Sequence, residues 1–112
     1  QLGNADVLNN VCWSGSLDQF ARLVLPACDQ ATAINPYNGQ YRDSRGLARA
    51  LTGNRQGAIT DFKFYLDWAT GEQIGKPLID ERKAFVRKLT AGQNPFDAKT
   101  LQKLYAESPV SG

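Results

Sequence analysis

This chain of 112 residues contains no histidine and no methionine, no long apolar run and no run of like charge. Histidine is the commonest general base and metal ligand, and without it the two cysteines have no imidazole to activate them. None of the serines lies in a Gly-x-Ser-x-Gly motif, so we expect no enzymatic activity. No stretch approaches the ~18 consecutive apolar residues of a membrane span, and we expect no membrane insertion. The missing methionine leads us to expect a piece of a longer protein.

The composition is typical of one globular domain. Hydrophobic residues make up 42% and charged residues 21% of the chain, and the net charge of +2 is too small to indicate nucleic acid as a partner. Cys12 and Cys28 are interpreted as core residues of a protein in a reducing compartment, and a disulfide between facing helices is the alternative. Two cysteines without histidine do not complete a tetrahedral zinc site, so we expect no metal and no cofactor. We expect a cytoplasmic location.

Apolar residues recur at helical spacing along the chain, and no segment alternates with the period of a strand. The pattern therefore predicts an all-α fold of about six helices. Their predicted bounds are 5–17, 20–35, 39–52, 55–69, 78–90 and 98–106. Predicted N-caps are Asn4, Asn38, Asn54 and Asp97.

Polar and aromatic residues near the fifth predicted helix give three further expectations. We expect Arg82 to point outward with the other basic residues of this helix. Asp80 and Glu81 are expected to be solvated residues of its first turn, favoured by the helix dipole. Trp68, at the end of the fourth helix, is expected to pack against the fifth.

A shift of 34 residues superposes the first part of the chain on the second, with apolar residues on apolar residues. The aligned pairs are Trp13 with Leu47, Leu17 with Leu51, Val24 with Ala58, Leu25 with Ile59, Cys28 with Phe62 and Ile34 with Trp68. The second copy carries Gly46, then Ala58 twelve residues on and Phe62 four residues after that. The first copy keeps Ala31 and Pro36.

With this period and these residues the chain resembles the tetratricopeptide repeat family. That family has small residues where paired helices cross closely and an aromatic residue between hairpins, but its early tryptophan and tyrosine are arginines in the second copy here. The resemblance implies a right-handed array of antiparallel helical hairpins. The implied divisions are repeat one at 5–38, repeat two at 39–72, and capping helices at 78–90 and 98–106. The chain also looks like modules near the ends of bacterial, often cyanobacterial, multidomain proteins with caspase-like, NTPase or WD-repeat domains.

The resemblance implies a scaffold that binds a peptide or protein partner on the concave face formed by the first helix of each hairpin. The candidate binding residues are Asn9, Asn10, Trp13, Arg42, Asp43, Arg45 and Arg49. The three arginines form a basic stripe that either pairs with acidic groups of a partner or is a solvated face paired with Asp43 and Asp61. Trp13 is either a groove residue or part of the core between helices. The alternative function is a structural end-cap or a self-association module, which includes a homodimer, and an uncovered apolar face on the first helix would favour it.

Overall fold

The computed structural model describes residues 4–108, which form six α-helices and contain no strand. The helices are α1 (Asn4–Leu17), α2 (Ala21–Ile34), α3 (Gly39–Leu51), α4 (Arg55–Thr70), α5 (Lys76–Thr90) and α6 (Ala98–Glu107). The predicted all-α fold of about six helices is therefore confirmed. Helical periodicity was a reliable guide because each helix places one apolar stripe against its neighbours.

Side-chain caps fix the start of three helices. Asn38 accepts hydrogen bonds from two backbone N–H groups of the first turn of α3, and Asn54 and Asp97 each accept one at the start of α4 and α6. These are the N-caps that the sequence predicts, whereas Asn4 is already the first residue of α1. The turn between α1 and α2 includes Gln19 at a φ of 72°, a left-handed conformation that is uncommon outside glycine.

The helices pack in sequential pairs, and the last helix returns to the first. α1 pairs with α2 and α3 with α4, while α2 joins the two hairpins by packing on α3. α5 packs on α4, and α6 then contacts α1. The largest core cluster is built around three aromatic rings, Phe62, Phe85 and Phe96, with centroids 4.7–6.2 Å apart.

Two glycines of α3 allow close contact with α4. A Cβ atom at Gly46 would lie 3.0 Å from the Phe62 ring, as expected for a position where paired helices cross closely. A Cβ atom at Gly39 would lie 2.3 Å from the ring of Trp68, which also lies beside Tyr65. These contacts of Trp68 join α3 and α4, whereas the sequence predicts a contact with α5.

Cys12 and Cys28 form a disulfide bond that links α1 to α2. The interpretation of the two residues as free core thiols is therefore wrong, and the alternative is observed. Their Cα atoms lie 5.0 Å apart across the hairpin, within the distance that a disulfide requires. Both residues are buried and pack with Ala48 of α3, so the bond lies in the layer between the two hairpins.

Candidate partner-binding pocket

A pocket of about 250 Å³ lies between α1, α3 and α6, with residues of α4 and α5 completing its wall. Its lining is Asn9, Asn10 and Trp13 from α1, Gln40, Asp43 and Ser44 from α3, Tyr65 from α4, Leu78 and Arg82 from α5, and Leu104, Glu107 and Ser108 at the end of α6. Small-molecule sites usually measure ~300–1,000 Å³. This pocket is therefore slightly smaller than a usual small-molecule site and is large enough for one or two amino-acid side chains.

Arg82 is the central charge of the pocket. Its side chain is 4% exposed, and its Nε and Nη2 atoms donate to the two carboxylate oxygens of Asp43 at 2.9 and 2.7 Å. Its Nη1 atom donates to Glu81 at 2.5 Å, and Glu81 also lies 3.3 Å from Lys103 of α6. The prediction that Arg82 points outward is wrong, and so is the prediction that Glu81 is a solvated residue. Asp80 is exposed, as expected, and pairs with Lys76.

Aromatic rings surround the Arg82 guanidinium. Its centre lies 5.5–5.8 Å from the rings of Trp13, Tyr65 and Phe85, a distance at which cations are attracted to ring faces. Burial lowers the pKa of Arg82, but the carboxylates of Asp43 and Glu81 raise it further, so the net pKa lies above its usual range. The carboxylates of Asp43 and Glu81 therefore favour the charged form of Arg82. Burial also raises the pKa of Tyr65.

Four of the predicted binding residues meet at this pocket. Asn9, Asn10 and Trp13 lie on its α1 side and Asp43 on its α3 side. Trp13 is half-buried and packs against the main core cluster, so it belongs both to the core and to the pocket wall. The Oδ1 atom of Asn9 is buried and has no hydrogen-bond partner among residues 4–108. Both carboxylate oxygens of Asp43 are engaged by Arg82.

The three predicted arginines lie outside the pocket and converge on Asp61 of α4. Arg45 donates to both Asp61 carboxylate oxygens at 2.9 Å, and the Nη1 atoms of Arg49 and Arg42 lie 3.2 and 3.6 Å from it. Asp61 is fully buried, and the Arg42 guanidinium also lies 4.2 Å from the centre of the Phe64 ring. The pairing with Asp61 is therefore observed, while Asp43 pairs with Arg82 instead. The hydrogen bond to Asp61 raises the pKa of Arg45.

The pocket residues of α4, α5 and α6 were not among the predicted site residues. Arg82 had a detectable signal, because Leu78, Arg82, Phe85 and Leu89 follow the spacing of one helical stripe. Tyr65 had the same kind of signal, because it follows Phe62 on the apolar stripe of α4. Glu107 had none, since nothing in the local pattern indicates that α6 returns to α1.

The part of the chain that the structure describes contains no group of histidine, cysteine, aspartate and glutamate side chains arranged to hold a metal ion. Within residues 4–108, no helix combines the length and the apolar character that crossing a membrane requires. A second pocket lies beside the α1–α2 turn and includes the buried hydroxyl of Ser16, for which the described residues offer no hydrogen-bond partner. It contains none of the predicted binding residues.

Comparison of the chain with protein-family models, curated proteins and solved structures gives no match. The resemblance to tetratricopeptide repeats therefore stays a prediction based on the 34-residue shift and its small and aromatic residues.

Proposed function

We propose that this chain is a non-catalytic interaction domain that binds a peptide or protein partner in the pocket between α1, α3 and α6. The observation that carries the proposal is the meeting of Asn9, Asn10, Trp13 and Asp43 in one pocket, although they lie on helices of two different hairpins. α2 contributes no residue to the lining. Of the described lining residues from the two hairpins, six lie on their first helices, α1 and α3, and Tyr65 lies on α4. This distribution supports the tetratricopeptide-like arrangement.

The chemistry of the lining favours an uncharged segment of a partner. The amides of Asn9, Asn10 and Gln40 can each donate and accept hydrogen bonds, as a peptide main chain requires. Trp13 and Tyr65 supply aromatic surface, and tryptophan and tyrosine are enriched among binding hot spots. Arg82 is already bound by two carboxylates, so it is not available to an acidic group of the partner. An extended peptide with an apolar or aromatic side chain fits these features.

Selection from a peptide library tests this function. Peptides selected against the whole chain are expected to bind the variant Asn10→Ala about two- to tenfold more weakly, because the loss of one hydrogen bond between uncharged groups typically costs ~0.5–1.5 kcal/mol. Asn10 is exposed, so this change leaves the core intact. Lys63→Ala, on the exposed side of α4, is the matched control and is expected to bind as the original chain does. Equal affinity of the selected peptides for both variants would refute the proposal.

The disulfide changes the proposed location. The sequence favours the cytoplasm, but a buried disulfide persists mainly in oxidising compartments. We therefore favour an extracytoplasmic or otherwise oxidising setting for the interaction. The number of free thiols in protein isolated from its native cells under alkylating conditions tests this location. Two free thiols per chain would show that the disulfide is absent there and would favour the cytoplasm.

The alternative function, a structural end-cap or self-association module, is favoured by one separate observation. Several large apolar side chains of α1 and α2 are exposed. A binding pocket and an association surface can be present in the same domain, so the two functions are tested independently.

A further inference from the structure

The first hairpin carries an uncovered apolar face. We define the hairpin face as Val7 and Val11 of α1, Leu23 and Ile34 of α2, and Phe20 in the turn between them. These five side chains are 44–77% exposed. Together they present on the order of 400–500 Å² of apolar surface, which is as large as the largest patch on a typical monomer. The largest apolar patch on a monomer is often functional.

The 34-residue shift shows which way this face points. Val7 and Val11 are equivalent to Tyr41 and Arg45 of α3. Tyr41 and Arg45 point from the second hairpin towards the first hairpin. The Tyr41 hydroxyl donates to Asp6 of α1, and Arg45 lies 3.9 Å from the carboxylate of Asp29 on α2. Val7 and Val11 therefore occupy positions that face a neighbouring hairpin, and within residues 4–108 no helix covers them.

The hairpin face contains no charged side chain. The positions that lie between its apolar residues at helical spacing are Ser14 on α1 and Ala27 and Gln30 on α2. The nearest charges in the sequence flank the face: Asp6 precedes Val7 and accepts a hydrogen bond from Tyr41, Arg22 precedes Leu23, and Asp18 lies in the turn at one end. If the hairpin faces of two chains pack together, their five apolar side chains bring no like charges into contact and bury no ions.

The charged surface of α5 disfavours head-to-tail stacking of the chains. The outer side of α5 exposes Lys76, Asp80, Lys83 and Arg87, and contact with it would bury charges against the apolar hairpin face. The surface that complements the hairpin face best is the hairpin face of another copy. An interface in which the same patch meets itself has two-fold symmetry and closes at two chains.

We propose that two copies of this chain associate through their hairpin faces to form a symmetric dimer. Standard interfaces bury ~800 Å² per partner, and this face offers roughly half of that area, so a weak and reversible dimer is expected. The proposal does not depend on the pocket, because the hairpin face shares no residue with it.

Sedimentation equilibrium on the whole chain over a dilution series tests the dimer. Leu23→Glu and Ile34→Glu are each expected to raise the dimer Kd on the order of a hundredfold, because each change buries two unpaired carboxylates at the interface. Both side chains are more than half exposed, so the helical circular dichroism of the variants is expected to be unchanged. Tyr105→Glu is the matched control, since Tyr105 is an exposed apolar residue of α6 outside the hairpin face.

Three results would overturn the proposal. The first is a chain that stays monomeric at the highest soluble concentration. The second is a dimer that Tyr105→Glu weakens as much as Leu23→Glu does. The third is open-ended assembly that grows with concentration, which would indicate head-to-tail contact. A concentration-dependent monomer–dimer equilibrium that only the hairpin-face variants abolish supports it.

Discussion

Replacement of Arg82 by alanine is the perturbation for which the structure makes the strongest prediction. Arg82 supplies both hydrogen bonds that bind the oxygens of Asp43, and it also pairs with Glu81. Its removal leaves two carboxylates in a part of the protein where their side chains are only 9% and 12% exposed. The attraction that offsets their desolvation is lost with the arginine, although Lys103 still lies 3.3 Å from Glu81.

The expected loss is about 3–5 kcal/mol, the usual cost of breaking a buried ion pair by removing one partner. The free energy of unfolding of a domain of this size is typically ~5–15 kcal/mol, so the variant is expected to be marginally stable. Replacing both partners, as in Asp43→Leu with Arg82→Met, leaves only Glu81 without its arginine and is expected to recover a large part of the loss. Recovery on double replacement would show that the unpaired carboxylate, and not the missing arginine, is the source of the cost.

Urea denaturation followed by helical circular dichroism measures these differences, with the disulfide kept oxidised in every sample. Lys83→Ala is the matched control, because Lys83 is an exposed basic residue next to Arg82 on α5, and a change of at most ~0.5 kcal/mol is expected for it. A loss below ~1 kcal/mol in Arg82→Ala would refute the reasoning. It would mean that the two carboxylates remain hydrated, and that Arg82 belongs to the solvent-exposed side of α5.

Three other predictions concern stability. Replacing Cys12 and Cys28 by serine opens a link that closes 16 residues, and the melting curve is expected to show a loss of about 3 kcal/mol. If the double-serine variant melts like the original chain with its disulfide reduced, the prediction is supported. If it melts like the original chain with its disulfide intact, the prediction is contradicted. Asp61→Asn leaves three arginines without their shared carboxylate, and urea denaturation is expected to show a loss of ~3 kcal/mol or more, against little change for the exposed Asp67→Asn. Burial and a hydrogen bond to a carboxylate raise the pKa of Tyr41 from 10 to about 12, so its contribution to stability is complete below pH 10 and is lost between pH 10 and 12. The urea midpoint of the original chain should therefore fall between pH 9 and pH 11. The fall should be smaller in the variant Tyr41→Phe, which has no hydroxyl to ionise.

The helices were predictable because their signals are local. Apolar spacing and the caps Asn38, Asn54 and Asp97 depend on residues within one or two turns, so six helices can be found from the sequence. Arg82 shows where this reasoning fails. Its polarity suggested an exposed position, but its place in the stripe between Leu78 and Phe85 decided its burial. A charged residue in an apolar stripe is better interpreted as one half of a buried pair.

The pocket was only half predictable because its other half depends on contacts distant in sequence. Asn9, Asn10 and Trp13 could be assigned to one face of the first helix from spacing alone. That α6 would return to α1, and so place Leu104 and Glu107 opposite them, is not encoded in any local pattern. The apolar spacing of α6 indicates that it has a buried side, but it does not indicate which helix covers that side.

The two proposed surfaces lie on different sides of α1, and this has a consequence for binding. Successive residues of an α-helix are turned by about 100°, so Val7 and Val11 point to one side while Asn9 and Trp13 point to nearly the opposite side. Association through the hairpin face would therefore leave both pockets of the dimer open. A partner that carries two copies of a binding peptide, joined by a linker long enough to reach both pockets, should then bind the dimer much more tightly than a single peptide does. The gain should disappear in Leu23→Glu, whereas the affinity for the single peptide should stay the same. A gain that persists in the monomeric variant would show that the second peptide binds elsewhere on the same chain.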